Sequence, residues 1–125
     1  MQTQTHGHWT WQQFLGWAFR DARVAELSGA IHDSALRARY LCDVPADDCV
    51  RAELHKNFVA IARQAERLQL DSLAALARRL ARALRSPQPD AEVLEQVREG
   101  SDALEHGVAE LGVPAGDDTQ CQPAA

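Results

Sequence analysis

Apolar residues recur every three or four positions through most of this sequence, and that spacing limits the fold more than any other feature does. In the middle of the sequence, for example, Leu54, Phe58 and Ile61 follow one another as neighbours on one face of a helix would. No segment alternates between apolar and polar residues in the way that a half-buried strand does. Ala and Leu supply most of the apolar residues, and both favour helix over sheet. The sequence therefore predicts an all-α protein.

Short breaks divide the periodic part of the sequence into helical segments. Because the connections are short, consecutive helices should be antiparallel neighbours in an up-and-down four-helix bundle with an additional N-terminal helix. Whether the first two segments form two helices or one bent helix stays open. The segments run from about Thr10 to Ala22, Val24 to Cys42, Pro45 or Ala46 to Arg67, Asp71 or Ser72 to Leu84, and Pro89 to Leu111, with Asp71 or Ser72 as the expected cap of the fourth.

The segment patterns also define the domain organisation. Residues 10–112 are expected to form a single helical-bundle domain, between a disordered N-terminus at 1–9 and a disordered tail at 113–125. Leu36 and Tyr40 lie outside the apolar stripe of their segment, and the N-terminal helix is the expected cover for them. No apolar run reaches the length of a membrane span, and the N-terminus lacks the pattern of a signal peptide. We therefore expect a cytoplasmic protein without a membrane partner.

The charged residues are distributed unevenly. The net charge is −5, but residues 51–85 hold eight Arg or Lys against three acids, and residues 86–125 hold one Arg against nine acids. The two regions are expected to pair across neighbouring helices, with a face of four arginines opposite the carboxylates of the last helix: Arg78, Arg79, Arg82 and Arg85 opposite Glu92, Glu95, Glu99 and their neighbours. Because the chain as a whole lacks a basic excess, we expect no nucleic-acid partner.

Residue types that usually carry chemistry are present without the spacing that chemistry needs. The five histidines lack the inward Glu-x-x-His pairs of a di-iron bundle, and the three cysteines include no Cys-x-x-Cys pair. No Gly-rich phosphate loop or nucleophile elbow occurs. We therefore expect no metal, no cofactor, no catalytic residue and no enzymatic activity.

The stretch from Pro45 to Leu84 has a more specific pattern. A Pro and acidic start leads into a helix, Leu68-Gln69-Leu70 forms a turn, and a Leu-rich helix follows. Extended to residues 24–111, this order resembles the histidine phosphotransfer (HPt) domain family, most closely the domain at the front of chemotaxis-type histidine kinases. The resemblance implies a helical bundle that binds the receiver domain of a response regulator or a histidine kinase.

The alignment with that family leaves the reactive position without a histidine. Counting back from the turn places Val59 where the family has its phosphoacceptor histidine, Ala62 where it has a lysine, and Arg63 where it has a glycine. A valine cannot accept a phosphoryl group. On a helical wheel Val59 lies on the side away from the core stripe, so it is expected to face solvent. The predicted protein-binding surface is Ala52, His55, Lys56, Val59, Ala62, Arg63 and Glu66.

The sequence therefore favours a non-catalytic, HPt-like adaptor, and it leaves two alternatives open. In the first, His55 accepts phosphate in an active phosphorelay, although it stands four residues, or about 6 Å along the helix axis, from the family's acceptor position. In the second, the protein is a helical assembly module unrelated to phosphorelay, with a homodimer contact through Trp9, Trp11 and Trp17.

Overall fold

The computed structural model describes residues 11–86 and 89–112, with side chains from Arg20 to Leu111 inside those ranges. Within this part of the chain there are four helices and no strand, so the predicted all-α bundle is confirmed. The segments 1–9 and 113–125, for which disorder is expected, lie outside the described residues. The helices are α1 (Trp11–Asp43), α2 (Asp48–Arg67), α3 (Asp71–Ala83) and α4 (Ala91–Gly112).

The four helices form a ring in which each contacts two neighbours. α1 packs against α2 and α4, and α3 packs against the same two helices. The α1–α4 edge carries polar links between side chains: His32 Nδ1 lies 2.7 Å from Glu105 Oε2, and Arg39 Nη2 donates to Asp102 Oδ1 at 3.0 Å. The α1–α2 edge carries a bond from Arg20 Nη1 to the carbonyl oxygen of Leu68, 3.2 Å long.

The first two predicted segments form one continuous helix. α1 has 33 residues, and the additional N-terminal helix is the first part of it. Because the N-terminal segment continues α1 as the same helix, it cannot fold back to cover the outer side of α1. Leu36 and Tyr40, which a separate helix was expected to cover, are accordingly 48% and 42% exposed. The expectation that the N-terminal helix covers them was therefore wrong.

The apolar stripe of α2 is buried in the centre of the bundle. Leu54, Phe58 and Ile61 are among the largest fully buried side chains. They belong to one core cluster with inward residues of the other helices, such as Leu27 of α1 and Leu104 of α4. The 3.6-residue spacing seen in the sequence therefore identifies the inner face of α2 correctly.

Side-chain and backbone caps set the ends of the helices. α2 begins at Asp48, because Asp47 Oδ1 accepts the N–H of Val50 at 3.1 Å and Pro45 and Ala46 lie in the preceding turn. Neither Asp71 nor Ser72 caps α3, so that expectation was wrong. α3 follows directly from a tight turn in which Gln69 has φ 61° and the Leu70 N–H bonds to Ala65 O at 2.8 Å.

The cap at Asp47 also makes the α1–α2 turn sensitive to pH. The Tyr40 hydroxyl donates to Asp47 Oδ2 at 2.5 Å. That bond, followed by the backbone bond from Val50, lowers the pKa of Asp47 below its ordinary value. A carboxyl group of this kind contributes stability that is complete above the unfolded-state pKa, about 3.9 for Asp, and is lost as the pH falls through the lower folded-state pKa.

We therefore expect Tyr40→Phe to lower the free energy of unfolding at neutral pH and to lessen its decline as the pH falls through the acidic range. Urea unfolding, followed by circular dichroism at a series of pH values, measures both effects. In an Asp47→Asn background the same substitution should leave the pH profile unchanged. An equal change of the profile in both backgrounds would contradict the assignment to this hydrogen bond.

Candidate functional site

An open groove of about 470 Å³ runs between α2 and α3 on the outside of the bundle. We call it the α2–α3 groove. Its α2 side is lined by His55, Val59, Ala62, Arg63 and Glu66. Its α3 side is lined by Arg78, Ala81, Arg82 and, in the turn after the helix, Arg85. Five of the seven residues predicted for the binding surface therefore lie together in one concave site.

The remaining two predicted residues lie outside the groove. Ala52 and Lys56 are exposed and are not part of its lining. The groove also includes four residues that were not predicted for the surface, namely Arg78, Ala81 and Arg82 of α3 and Arg85 in the turn after it. The sequence contains a pattern that indicates three of these residues, since Arg78, Arg82 and Arg85 recur at helical spacing and share one face.

The floor of the groove is apolar and is more buried than the sequence suggested. Ala62 is 4% exposed and Ala81 is 5% exposed, and Val59 is partly buried against the core cluster. Val59 therefore lines the groove with a half-buried side chain, whereas Ala62, which was predicted for the same surface, is buried. The helical wheel takes only the inner stripe of α2 into account, whereas α3 covers a second flank of the same helix.

The rim of the groove is strongly cationic. Four arginines and one glutamate line it, whereas the whole chain has a net charge of −5. Glu66 forms an ion pair with Arg78. No other ion pair in the described structure involves an arginine of the rim, so Arg63, Arg82 and Arg85 have no carboxylate within 4.0 Å.

This charge is present because the expected pairing with α4 does not form. Arg78 pairs with Glu66 of α2, and Glu95 of α4 pairs with Arg98 one turn further along its own helix. Arg82 and Arg85 face the groove instead of the acidic α4. The predicted link between the basic and acidic regions was therefore wrong for these arginines.

His55 sits at the groove in one defined tautomer. Its Nδ1 lies 2.8 Å from the carbonyl oxygen of Ala81. A carbonyl oxygen only accepts hydrogen bonds, so Nδ1 carries the proton and the neutral ring has its lone pair on Nε2. The bond joins α2 to α3 at the groove wall. A second bond near the same end, from Arg51 Nη1 to Leu84 O at 3.2 Å, also joins the two helices.

Other kinds of site have little support in the described residues. No group of three or more His, Cys, Asp or Glu side chains is placed to hold a metal ion there. Cys42 and Cys49 are unpaired, and burial, followed by the charge of Glu95, raises the pKa of the Cys42 thiol. None of the described helices has a stretch long and apolar enough to cross a membrane.

Comparison with protein-family models, with curated proteins and with solved structures gives no match for this chain. The likeness to HPt domains therefore remains a prediction from the pattern of residues 24–111. The helical bundle and the α2–α3 groove are what the structure adds to that pattern.

The bond between His55 and Ala81 can be tested through stability. We expect His55→Ala to lower the free energy of unfolding by about 0.5–1.5 kcal/mol, because Ala81 O keeps its bond from the Leu84 N–H while one inter-helix bond is lost. Chemical denaturation measures this change. The matched control is His106→Ala, at an exposed position on α4, which should change the value by less than about 0.5 kcal/mol. Equal effects of the two substitutions would contradict a role for the bond.

Proposed function

We propose that the protein is a non-catalytic, HPt-like signalling adaptor of the cytoplasm that binds a receiver domain of a response regulator or a histidine kinase through the α2–α3 groove. The observation that carries the proposal is Val59 on the groove floor, at the position where the resembling family has its phosphoacceptor. The groove around Val59 is concave and has a cationic rim. The adaptor would modulate signalling by binding its partner, without a chemical reaction.

The side chains of the groove support binding over chemistry. Val59, Ala62 and Ala81 have no group that can attack a phosphorus atom or move a proton. Small side chains on the floor allow a partner's backbone to approach closely, and an apolar centre inside a polar rim is the usual composition of a protein interface. A partner held there stays bound without being modified.

The charge of the rim favours an acidic partner surface. Arg63, Arg82 and Arg85 lack carboxylate partners in the described structure, so a partner can use them without first breaking an ion pair. A receiver domain is phosphorylated on an aspartate, and guanidinium groups bind carboxylates and phosphates with two parallel hydrogen bonds. Complementary charge of this kind raises association rates and makes them sensitive to salt.

The proposal is tested with purified receiver domains and kinase dimerisation domains from the source organism, by titration calorimetry against the full chain. We expect one of them to bind, and we expect Arg82→Glu combined with Arg85→Glu to weaken binding at least tenfold. Each new glutamate in the rim should repel an acidic partner. Added salt should weaken the wild-type complex.

Arg79→Glu is the matched control, because Arg79 is exposed on the same helix and does not line the groove. It makes the change of charge of one of the two rim substitutions and should leave the affinity within a factor of about two. Binding that Arg79→Glu weakens as much as the double variant does would contradict the groove as the site. Failure of every domain to bind would contradict the adaptor function itself.

The tautomer of His55 favours a second candidate, an active phosphorelay domain. With Nδ1 held by Ala81 O, the Nε2 lone pair is the one able to attack a phosphoryl group, and the arginines of the groove could neutralise its charge. In such a transfer Nε2 forms a bond to phosphorus, and the aspartate carboxylate of the partner leaves.

Incubation with phosphorylated receiver domains separates the two candidates. The adaptor proposal expects no phosphate on the protein, because Val59 occupies the acceptor position. Acid-labile phosphate that appears on the wild type, and is lost in His55→Ala but kept in His106→Ala, would establish the phosphorelay and overturn the adaptor. Phosphorus nuclear magnetic resonance or a radiolabel detects the product.

A further inference from the structure

The two hydrogen bonds between α2 and α3 set the relative position of these helices along the groove. His55 Nδ1 donates to Ala81 O at 2.8 Å, and Arg51 Nη1 donates to Leu84 O at 3.2 Å. A step back along α2, from His55 to Arg51, therefore corresponds to a step forward along α3. The two helices are antiparallel here, and the start of α2 lies level with the end of α3.

The charged residues of the groove fall into two groups in this register. Arg82 and Arg85 line the groove near the end of α3, so they lie at the same end as His55. Glu66 lies about three turns, or about 16 Å, further along α2, and it pairs with Arg78. We call the end formed by Arg82 and Arg85 the arginine end. It holds two guanidinium groups that have no carboxylate partner in the described structure.

The carbonyl groups at the end of α3 are already occupied by donors of the protein. The last carbonyl oxygens of a helix carry a partial negative charge, which opposes a bound anion. Ala81 O accepts the bond from His55 and a second bond from the Leu84 N–H, and Leu84 O accepts the bond from Arg51. The guanidinium groups therefore dominate the charge of the arginine end.

An apolar floor adjoins the arginine end. Ala81 precedes Arg82 on α3, and Val59 and Ala62 continue the floor along α2 towards Glu66. None of the three floor side chains has a polar group. The groove as a whole measures about 470 Å³, which lies within the usual range of small-molecule sites. It therefore offers a small molecule one charged end and an adjoining apolar surface.

We propose that the α2–α3 groove binds a small phosphomonoester, with its phosphate group at the arginine end and a compact apolar body on the floor. A phosphate dianion has three oxygens and two negative charges, and each guanidinium group can donate two parallel hydrogen bonds to it. A carboxylate has only two oxygens and one charge. The carboxylate of Glu66 opposes a second anionic group at the far end of the groove, so the body of the ligand is uncharged.

This inference is independent of the adaptor function, because a phosphomonoester can bind the protein when no partner is present. One consequence does rest on the proposed function. A molecule on the groove floor covers Val59 and occupies Arg82 and Arg85, so it would compete with the partner for the same surface. The concentration of the phosphomonoester would then set how much of the adaptor is free to bind.

The first experiment titrates the full chain with phenyl phosphate, inorganic phosphate and benzoate at about pH 7.5, where a phosphomonoester is mainly a dianion. Sodium chloride keeps the ionic strength constant, and proton–nitrogen nuclear magnetic resonance follows the amide signals. We expect phenyl phosphate to bind with a Kd below about 1 mM and to shift the signals of Val59, Ala81 and Arg82.

The other two probes separate the contributions of the phosphate and the apolar body. Inorganic phosphate lacks the ring, and benzoate carries a single charge, so each should bind about tenfold more weakly than phenyl phosphate. Absence of phenyl phosphate binding, or equal binding of all three probes, would overturn the proposal. Retention of the protein on vesicles that contain phosphatidic acid, without binding of phenyl phosphate, would also overturn it and assign the arginines to a lipid surface.

The second experiment locates the site with variants. Arg82→Gln combined with Arg85→Gln should weaken phenyl phosphate binding about tenfold or more. The matched control combines Arg67→Gln with Arg79→Gln, which makes the same change of charge at two exposed positions outside the groove lining and should change the Kd by less than about twofold. Equal effects of the two double variants would overturn the proposal.

Val59→Thr tests the floor, because it replaces a methyl group with a hydroxyl group of similar size. It should weaken the binding of phenyl phosphate about threefold and leave that of inorganic phosphate unchanged. Equal weakening of both probes would contradict the floor as the contact of the ring. Neither experiment contains a receiver domain or a kinase, so a failure of this proposal and a failure of the adaptor function are observed separately.

Discussion

The contact between α2 and α3 determines the shape and the charge of the α2–α3 groove. α2 buries its main stripe, with Phe58 at its centre, in the bundle core, and α3 then covers a second flank that includes Ala62. Because two flanks of α2 are occupied, its remaining surface becomes one wall of a groove. The His55 bond to Ala81 and the Arg51 bond to Leu84 join the same two helices beside that wall.

The cationic rim follows from the same contact. Arg82 of α3 and Arg85 in the turn after it line the groove, where Glu66 is the one acid of the lining, and Glu66 pairs with Arg78. The ion pairs of α4 are formed by Glu95, Asp102 and Glu105, within that helix or with α1. A chain with a negative net charge thus has one strongly positive groove. The local distribution of charge over the surface, and not the net charge, decides which ligands a groove attracts.

Val59 is both the predicted phosphoacceptor position of the resembling family and a residue of the α2–α3 groove. The resemblance predicts that Val59 stands at the family's phosphoacceptor position, and the structure places the same residue in the lining of the α2–α3 groove. The sequence pattern and the groove therefore support the adaptor proposal at the same residue.

The sequence by itself determined the helical class, the approximate ends of the helices and the inner stripe of α2, because these depend on the spacing of residues within one segment. Only the tertiary structure decided which second flank each helix buries. Ala62 is covered by α3, whereas Leu36 is left exposed because the N-terminal segment continues α1. The physical reason is that a helical wheel records the directions of side chains within one helix and contains no information on where its neighbours stand.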